Sequence, residues 1–247
     1  MALTEAERLE AERLLLERDR REAKRRFDHL FPAETHDWRG EKFRARTLYR
    51  PHMEFVMATA EYGEVAMMAS NRSGKSELGG YCMAVWLTGR YPAWWDGRRF
   101  AGPIRAWAAG DTNETVRDIL QAKLLGDVTW EGNSKTITGT GIIPGDAVGA
   151  VTWRQGVADL IDTIKIRHVS GGWSTLGFKS YQQGRKSFQG TAQHVVWTDE
   201  EPAPDVYTEA LTRTATTNGL LIATFTPLSG LTEVALSFMP KEMRPGN

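Results

Sequence analysis

Glu64 to Glu77, EVAMMASNRSGKSE, constrains the fold of this chain more than any other stretch. Val65 to Ala69 has the character of a short buried strand. From Ser76 onward the apolar spacing turns helical (ELGGYCMAVWL), so Gly74-Lys75-Ser76 falls where a strand becomes a helix. That is the geometry of a P-loop. A polyphosphate needs inward-pointing backbone N–H groups, the positive end of a helix dipole behind them, a lysine that reaches the outer phosphates, and a hydroxyl beside the metal. Ser70, Asn71, Arg72, Ser73 and Gly74 supply the loop backbone, Lys75 the ammonium and Ser76 the hydroxyl. The general pattern G-x-x-x-x-G-K-S/T has glycine where this chain has Ala69, and alanine serves there as long as its φ stays negative.

Around this motif, 247 residues with 41% hydrophobic and 25% charged side chains suffice for one large α/β domain or two small ones. Lys+Arg and Asp+Glu both number 31, so global charge points to neither nucleic acid nor a membrane surface, and any such contact must be local. The single Cys82 excludes an intramolecular disulfide and reads as a buried structural thiol of the apolar helix. His29, His36, His52, His168 and His194 show no metal-ligand spacing. With no apolar run of roughly 18 residues and no signal-peptide pattern, the expectation is a soluble protein of a reducing compartment.

Thr4 to Phe27 is dense in Glu, Arg, Ala and Leu, with Thr4 and Glu7 spaced as a capping box, and predicts a helix. It reads either as a solvated helix on the domain edge or as one that faces a partner or DNA. Pro32 closes that region, which predicts a helical extension over 1–35 and a main domain over 36–247. Tyr49, Arg50 and His52 open a helix one element before the P-loop. A flat or cationic group there can cover an adenine, so these three are adenine-side candidates, with plain surface polarity as the alternative. Ile104 to Ala109 predicts the next strand, and Asp111 or Thr112 caps a helix through about Leu125. This βαβ rhythm predicts a mainly parallel sheet flanked by helices. Ile164 to Val169 and Trp173 to Tyr181 read as strands paired through Ser170-Gly171-Gly172. Arg185 and Lys186 lie in a polar turn that is either solvated or in contact with nucleic acid.

The second motif is His194 to Glu201, HVVWTDEE: strand character, then acids at the strand's C-terminal end. This is a Walker B arrangement, in which Asp199 holds Mg²⁺ and Glu200 polarises an attacking water. Asp205 to Arg213 predicts a helix, and Gly219 to Phe225 another buried strand. Thr224 and Thr226 at its end either sense the γ-phosphate or cap the strand.

Taken together, Tyr49-Arg-Pro-His, Ser70-Asn-Arg-Ser-Gly-Lys-Ser-Glu, Ser187-Phe-Gln-Gly, Val196-Trp-Thr-Asp-Glu-Glu-Pro, Arg213 and Ala223-Thr-Phe-Thr-Pro-Leu-Ser-Gly resemble the ATPase domain of tailed-bacteriophage terminase large subunits. The resemblance spans residues 49–230 and implies an α/β P-loop NTPase fold of the additional-strand, catalytic-glutamate (ASCE) type. It implies ATP and Mg²⁺ as ligands, with Lys75 and Ser76 on the phosphates and metal, Asp199 as Walker B acid, Glu200 as catalytic base, and the Thr224–Thr226 segment as coupling element. It further implies double-stranded DNA, the portal protein and the terminase small subunit as partners, a homo-oligomeric ring, no membrane, and the host cytoplasm. Met53 stands near a place where the family often has Gln. The charge-neutralising arginine is Arg72 in cis, or Arg213 or an N-terminal arginine reaching a neighbouring subunit. Family members also carry a C-terminal nuclease domain. Residues 231–247 hold only Glu233 and Glu242, so no nuclease activity is expected of this sequence. A helicase-like ATPase outside packaging and an ATP-gated assembly module without efficient hydrolysis are the other readings.

Overall fold

Leu220–Phe225 is apolar except for Thr224 and buried at every position, so it reads as a strand covered on both faces. It occupies such a place in the computed structural model, which describes residues 25–228, 230, 232–239 and 244. The strands in chain order are β1 (His36–Trp38), β2 (Glu41–Phe43), β3 (Glu64–Met68), β4 (Arg105–Gly110), β5 (Val128–Glu131), β6 (Ser134–Ile137), β7 (Val148–Trp153), β8 (Ile161–Arg167), β9 (Trp173–Ser180), β10 (Val195–Asp199) and β11 (Leu220–Phe225). Seven form one sheet in the order β3-β11-β10-β4-β9-β8-β7. β3, β11, β10, β4 and β9 run parallel, while β8 and β7 close one edge antiparallel. The chain is therefore a mixed α/β fold around a central, mostly parallel sheet. β11 lies between the P-loop strand β3 and the acidic strand β10.

The helices are α1 (Arg26–His29), α2 (Arg50–Glu61), α3 (Lys75–Thr88), α5 (Pro204–Ala215) and α6 (Glu233–Ser237). Between α3 and α5, the segments Asn113–Thr115, Val116–Gln121 and Ala122–Leu125 run on as one helix, α4, whose middle is π-helical. Its start is the expected one: Thr112 and Thr115 exchange side-chain and backbone bonds in a capping box. Helix α3 is apolar all round. Leu78, Cys82, Met83, Val85, Trp86 and Leu87 are 0% exposed, each contributing roughly 1.5–3 kcal/mol of burial, which fixes the P-loop against the sheet. Cys82 is among them, as its sequence position suggested, and burial pushes its thiol far up. Only glycine fits at position 79, since a Cβ there would lie 2.5 Å from the Trp197 indole of β10. That contact keys the P-loop helix directly onto the acidic strand.

The helix predicted over Thr4–Phe27 lies, apart from residues 25–27, outside the described residues. Phe27, Leu30 and Phe31, on the N-terminal side of the boundary set at residue 35, are buried in the same core as α3 and β10. The Ser170–Gly172 hairpin joins β8 and β9 with Arg167 opposite Trp173, as the sequence suggests. Strands β1, β2, β5, β6 and β7 and helix α6 escape the sequence reading. Among the described residues no helix is long and apolar enough to cross a membrane.

Candidate active site

The loop after β3 and the ends of β10 and β11 meet at the C-terminal edge of the parallel strands, where open α/β sheets bind ligands. The loop enters α3 through Gly74, whose φ of 84° is left-handed. Arg72 also takes a left-handed conformation, at φ 62°, whereas Ala69 does not, so alanine in place of glycine carries no strain there. No side chain caps the start of α3. The N–H groups of its first turn, which have no intrahelical partners, thus remain available to an anion. Lys75, 6% exposed, donates from Nζ to the Ser70 carbonyl at 2.9 Å and to Thr226 Oγ1 at 2.8 Å. The Thr226 hydroxyl also lies 2.8 Å from Asn71 Oδ1 and 3.0 Å from the Ala69 carbonyl, which ties the end of β11 to the loop.

Ser76 and Asp199 join the two motifs. Ser76 Oγ lies 2.8 Å from Asp199 Oδ1 and 3.0 Å from Oδ2, and Thr224 Oγ1 donates to Oδ1 at 2.6 Å. Trp197 Nε1 donates in turn to the Thr224 hydroxyl at 2.7 Å, so the carboxylate sits at the end of a fixed relay. A serine hydroxyl beside one carboxylate is the hard-oxygen pair that suits Mg²⁺, which keeps waters and substrate phosphates as its other ligands. Burial holds the Asp199 carboxyl above the usual range, against the hydroxyls of Thr224 and Ser76, which favour the anion. A folded-state value above the unfolded one means that the folded chain holds the proton more tightly. The group's contribution to stability is therefore present below the unfolded value and declines as pH rises through the folded one. In magnesium-free buffer at neutral pH, Asp199→Asn is accordingly expected to keep or raise the thermal midpoint, since it removes a buried charge and retains an oxygen acceptor. It should also lose any further rise on adding Mg²⁺ with nucleotide. A lower midpoint in calorimetry would mean that the carboxylate stabilises the fold.

Glu200 and Glu201 differ in kind. Glu200 adopts φ 62°, uncommon for a residue with a Cβ and costing on the order of 1–3 kcal/mol. Its N–H donates to the Thr224 carbonyl at 2.9 Å and its own carbonyl accepts from the Tyr181 hydroxyl at 3.0 Å, which hold the strained backbone in place. Its exposed side chain has no hydrogen-bond partner among the described residues. Glu201, by contrast, accepts from the Thr232 hydroxyl. The free acid is thus the one next to Asp199.

A pocket of about 240 Å³ opens beside Gly74 and Glu77, walled by Arg26, Phe43, Arg44, Tyr49 and His52. His52 is 6% exposed, its Nδ1 is buried with no partner among the described residues, and burial lowers its pKa. A neutral imidazole has one N–H and one acceptor, a match for the edge of a base. Tyr49 meets its ring at 5.2 Å and 65°. Two of the three adenine-side candidates therefore face one pocket. Arg50 does not: its side chain is 86% exposed and bonds Glu54 one turn on. Met53 faces a separate groove with Met57 and Trp94.

The two named arginines also part. Arg72 is exposed on the loop, with no ion pair among the described residues. Arg213 pairs with buried Glu209 at 2.8 Å and bonds the Gly190 carbonyl at 3.0 Å. Its carbonyl accepts from the Gln193 N–H, before the start of β10, whereas Asp199 ends that strand. At about 3.3 Å per residue this places Arg213 roughly 20 Å from its own acidic pair.

Three participants were not singled out from sequence. The Tyr181 hydroxyl lies 3.0–3.3 Å from the carbonyls of Ala109, Asp199 and Glu200, which share its one proton, and its place at the end of a predicted strand was the available signal. Trp197 had no signal beyond burial. Glu77, directly after Ser76, is held by Lys123 at 2.6 Å and Arg26 at 3.0 Å, which draw its carboxyl below the ordinary range against burial. Those partners are 46 and 51 positions away and could not be read from spacing.

Residues 66–242 match the family model described as terminase large subunit, T4likevirus-type, N-terminal. The chain belongs to the large-terminase family. It is 37% identical over 210 residues to the terminase large subunit of Salmonella phage P22, an alignment that takes in 77% of this chain and 41% of that protein. The chain thus spans about two fifths of the length of that relative. Among solved structures it is similar to a mutant of the Thermus phage P74-26 large terminase ATPase domain, with 16% identity, a TM-score of 0.44, and 66% and 59% of the two chains covered. It is also similar to the large terminase of a thermophilic bacteriophage in complex with ADP, at 14% identity and TM-score 0.42, over 70% of this chain and 38% of the other.

Proposed function

We propose that this large-terminase chain is an ATPase motor unit that hydrolyses ATP with Mg²⁺ and uses the energy to move double-stranded DNA into a phage procapsid. The observation that carries the reading is the Ser76–Asp199 contact, which puts the P-loop hydroxyl and the acidic strand end on one point with Glu200 pinned beside it. The strand order, with β11 between β3 and β10, supports assignment to the ASCE class of P-loop folds.

In this reading Lys75 leaves Ser70 and Thr226 to bind the outer phosphates, and the loop N–H groups and the start of α3 hold the remaining oxygens. Mg²⁺, when bound, would be held by Ser76 and, directly or through water, by Asp199, and would neutralise charge on the β- and γ-phosphates. Glu200 takes the proton of the attacking water. Tyr49 and His52 cover the base. Arg72, exposed on the loop and with no ion pair among the described residues, is the arginine we assign to act in cis, with Arg213 assigned to a neighbouring subunit. Thr224 and Thr226 contact Asp199 and Lys75 respectively, so a change at either phosphate-side group moves β11. The portal protein, the small subunit and a ring of copies of this chain are the partners of such a motor, in the host cytoplasm.

Phosphate release from ATP by the purified chain, with and without blunt duplex DNA and with procapsids bearing portals, tests this. A rate that rises with duplex and rises further with procapsids is expected. Equal stimulation by single-stranded nucleic acid, with none from procapsids, would favour a helicase-like ATPase, and tight nucleotide binding without turnover an assembly module.

A further inference from the structure

The pleat of the sheet sorts the side chains of β4, β9, β8 and β7 onto two faces, and residues in register share a face. One face, carrying Ala106, Ala108, Leu176, Phe178, Ile164 and Ile166, is 0–1% exposed and belongs to the core that contains α3. On the other face Arg105, Thr175 and Lys165 form one cross-strand row, Trp173 and Arg167 the next, and Trp107 lies in register with Gly177 and Thr163 beyond. Lys179 follows, opposite Ala109. Helix α5 covers this face over β10 and β11, and Phe188, packed edge-on to Trp107 at 5.9 Å, marks the limit of that cover. The described helices that pack on β9 and β8, α3 and α4, lie on the opposite, core face.

A polar outer face is ordinary for antiparallel strands at a sheet edge. This one is not balanced, however. It carries Arg105, Lys165, Arg167 and Lys179, and the one acid in these four strands, Asp162, pairs with Arg154 at 2.8 Å. None of the four basic groups has an ion pair among the described residues. In a chain with 31 basic and 31 acidic side chains, that is a local excess of positive charge. Lys165 instead donates to Thr175 Oγ1 at 2.8 Å, Arg167 stands 6.0 Å over the Trp173 ring, and Lys179 5.1 Å over Trp107. Gly149 of β7 lets the Trp173 indole lie flat across β8, since a Cβ there would come within 2.4 Å of the ring. The result is a floor of strand backbone and indole rings that carries four cations without ion pairs among the described residues.

We infer that this face grips the phosphate backbone of duplex DNA. The identity of the polyanion rests on the motor reading above; the charge and shape of the face do not. Single strands are bound chiefly by stacking bases on open aromatic rings. Here Trp107 is 7% exposed and Trp173, though 48% exposed, is a single ring with Arg167 over it, so the face offers several cations but no row of open rings. Same-face neighbours on a strand stand about 6.6 Å apart and alternate strands about 9.6 Å, a spread of positive charge that suits contacts to several phosphates without base readout.

Fluorescence anisotropy of a labelled 30-base-pair duplex with the full chain, across a salt series, is the test. The combined Arg105→Ala, Lys165→Ala, Arg167→Ala variant should lose at least tenfold in affinity at low salt and flatten the log–log salt slope by about 2 to 3, close to 0.9 per lost phosphate contact. Two duplexes of unrelated sequence should respond alike, and Arg117→Ala, outside the face, should leave the slope as it is. Unchanged affinity and slope in the triple variant, or a wild-type chain that does not bind duplex, overturns the inference. So does a variant that sediments as a smaller species while binding DNA normally, since the face would then be a contact between copies. Binding of Mg²⁺ with ADP, followed in the same proteins, reports folding and the nucleotide site. Its failure in the wild type would count against the motor reading while leaving the duplex result standing.

Discussion

Lys75→Ala is expected to weaken binding of ATP with Mg²⁺ by roughly 30-fold to several thousand-fold, the equivalent of the about 2–5 kcal/mol that truncating one partner of a buried charge pair costs. The reason is local. The ammonium sits 6% exposed with only two neutral oxygens, Ser70 O and Thr226 Oγ1, as partners, so it is a charge held ready for a stronger acceptor. Loop N–H groups can orient the phosphates but carry no net charge to oppose theirs. Lys75→Arg should rescue poorly, because a planar fork does not enter a site shaped around a compact ammonium. Titration calorimetry measures both variants, and wild-type affinity in Lys75→Ala would remove the phosphate-binding assignment.

Glu200→Gln is expected to keep nucleotide binding and to lower the rate of phosphate release in a single turnover by roughly 10² to 10⁴, the contribution of a positioned general base. Glutamine preserves volume and the strained backbone, which Thr224 and Tyr181 hold through main-chain atoms alone. Only the ability to accept a proton is lost. Glu201→Gln should reduce turnover far less, since that carboxylate already accepts from Thr232 and sits on the loop toward α5. A reversal of the two phenotypes would move the base to Glu201 and leave the strain at Glu200 without a function.

Much of this was legible because it was local. The strand–loop–helix of the P-loop, the run His194 to Glu201 and the buried β11 are each contiguous, and each announces its end with charge, glycine or proline. Ala69 could be reconciled with a P-loop from φ alone, and the structure gives it no left-handed φ. Strand β7 was missed for a physical reason: register shifts against β8 break its alternation, and Gly149 is there to make room for Trp173 rather than to end a strand. The strand order, which puts Thr224 against Asp199 and Thr226 against Lys75, is a property of the whole sheet. Whether those threonines sense or cap therefore stayed open in the sequence. Arg50 read as part of the adenine side because helix phase is uncertain at an N-terminus; its neighbours Tyr49 and His52 turn inward, and it turns out.

Injecting ATP with Mg²⁺ into the purified chain in a calorimeter records binding as a fast heat and hydrolysis as a slow one that continues until the substrate is spent. The wild-type chain should give both heats, Glu200→Gln the first alone, and Lys75→Ala neither. A wild-type chain that gives the fast heat only, at any protein concentration and with duplex DNA present, would contradict a hydrolytic site at Ser76, Asp199 and Glu200.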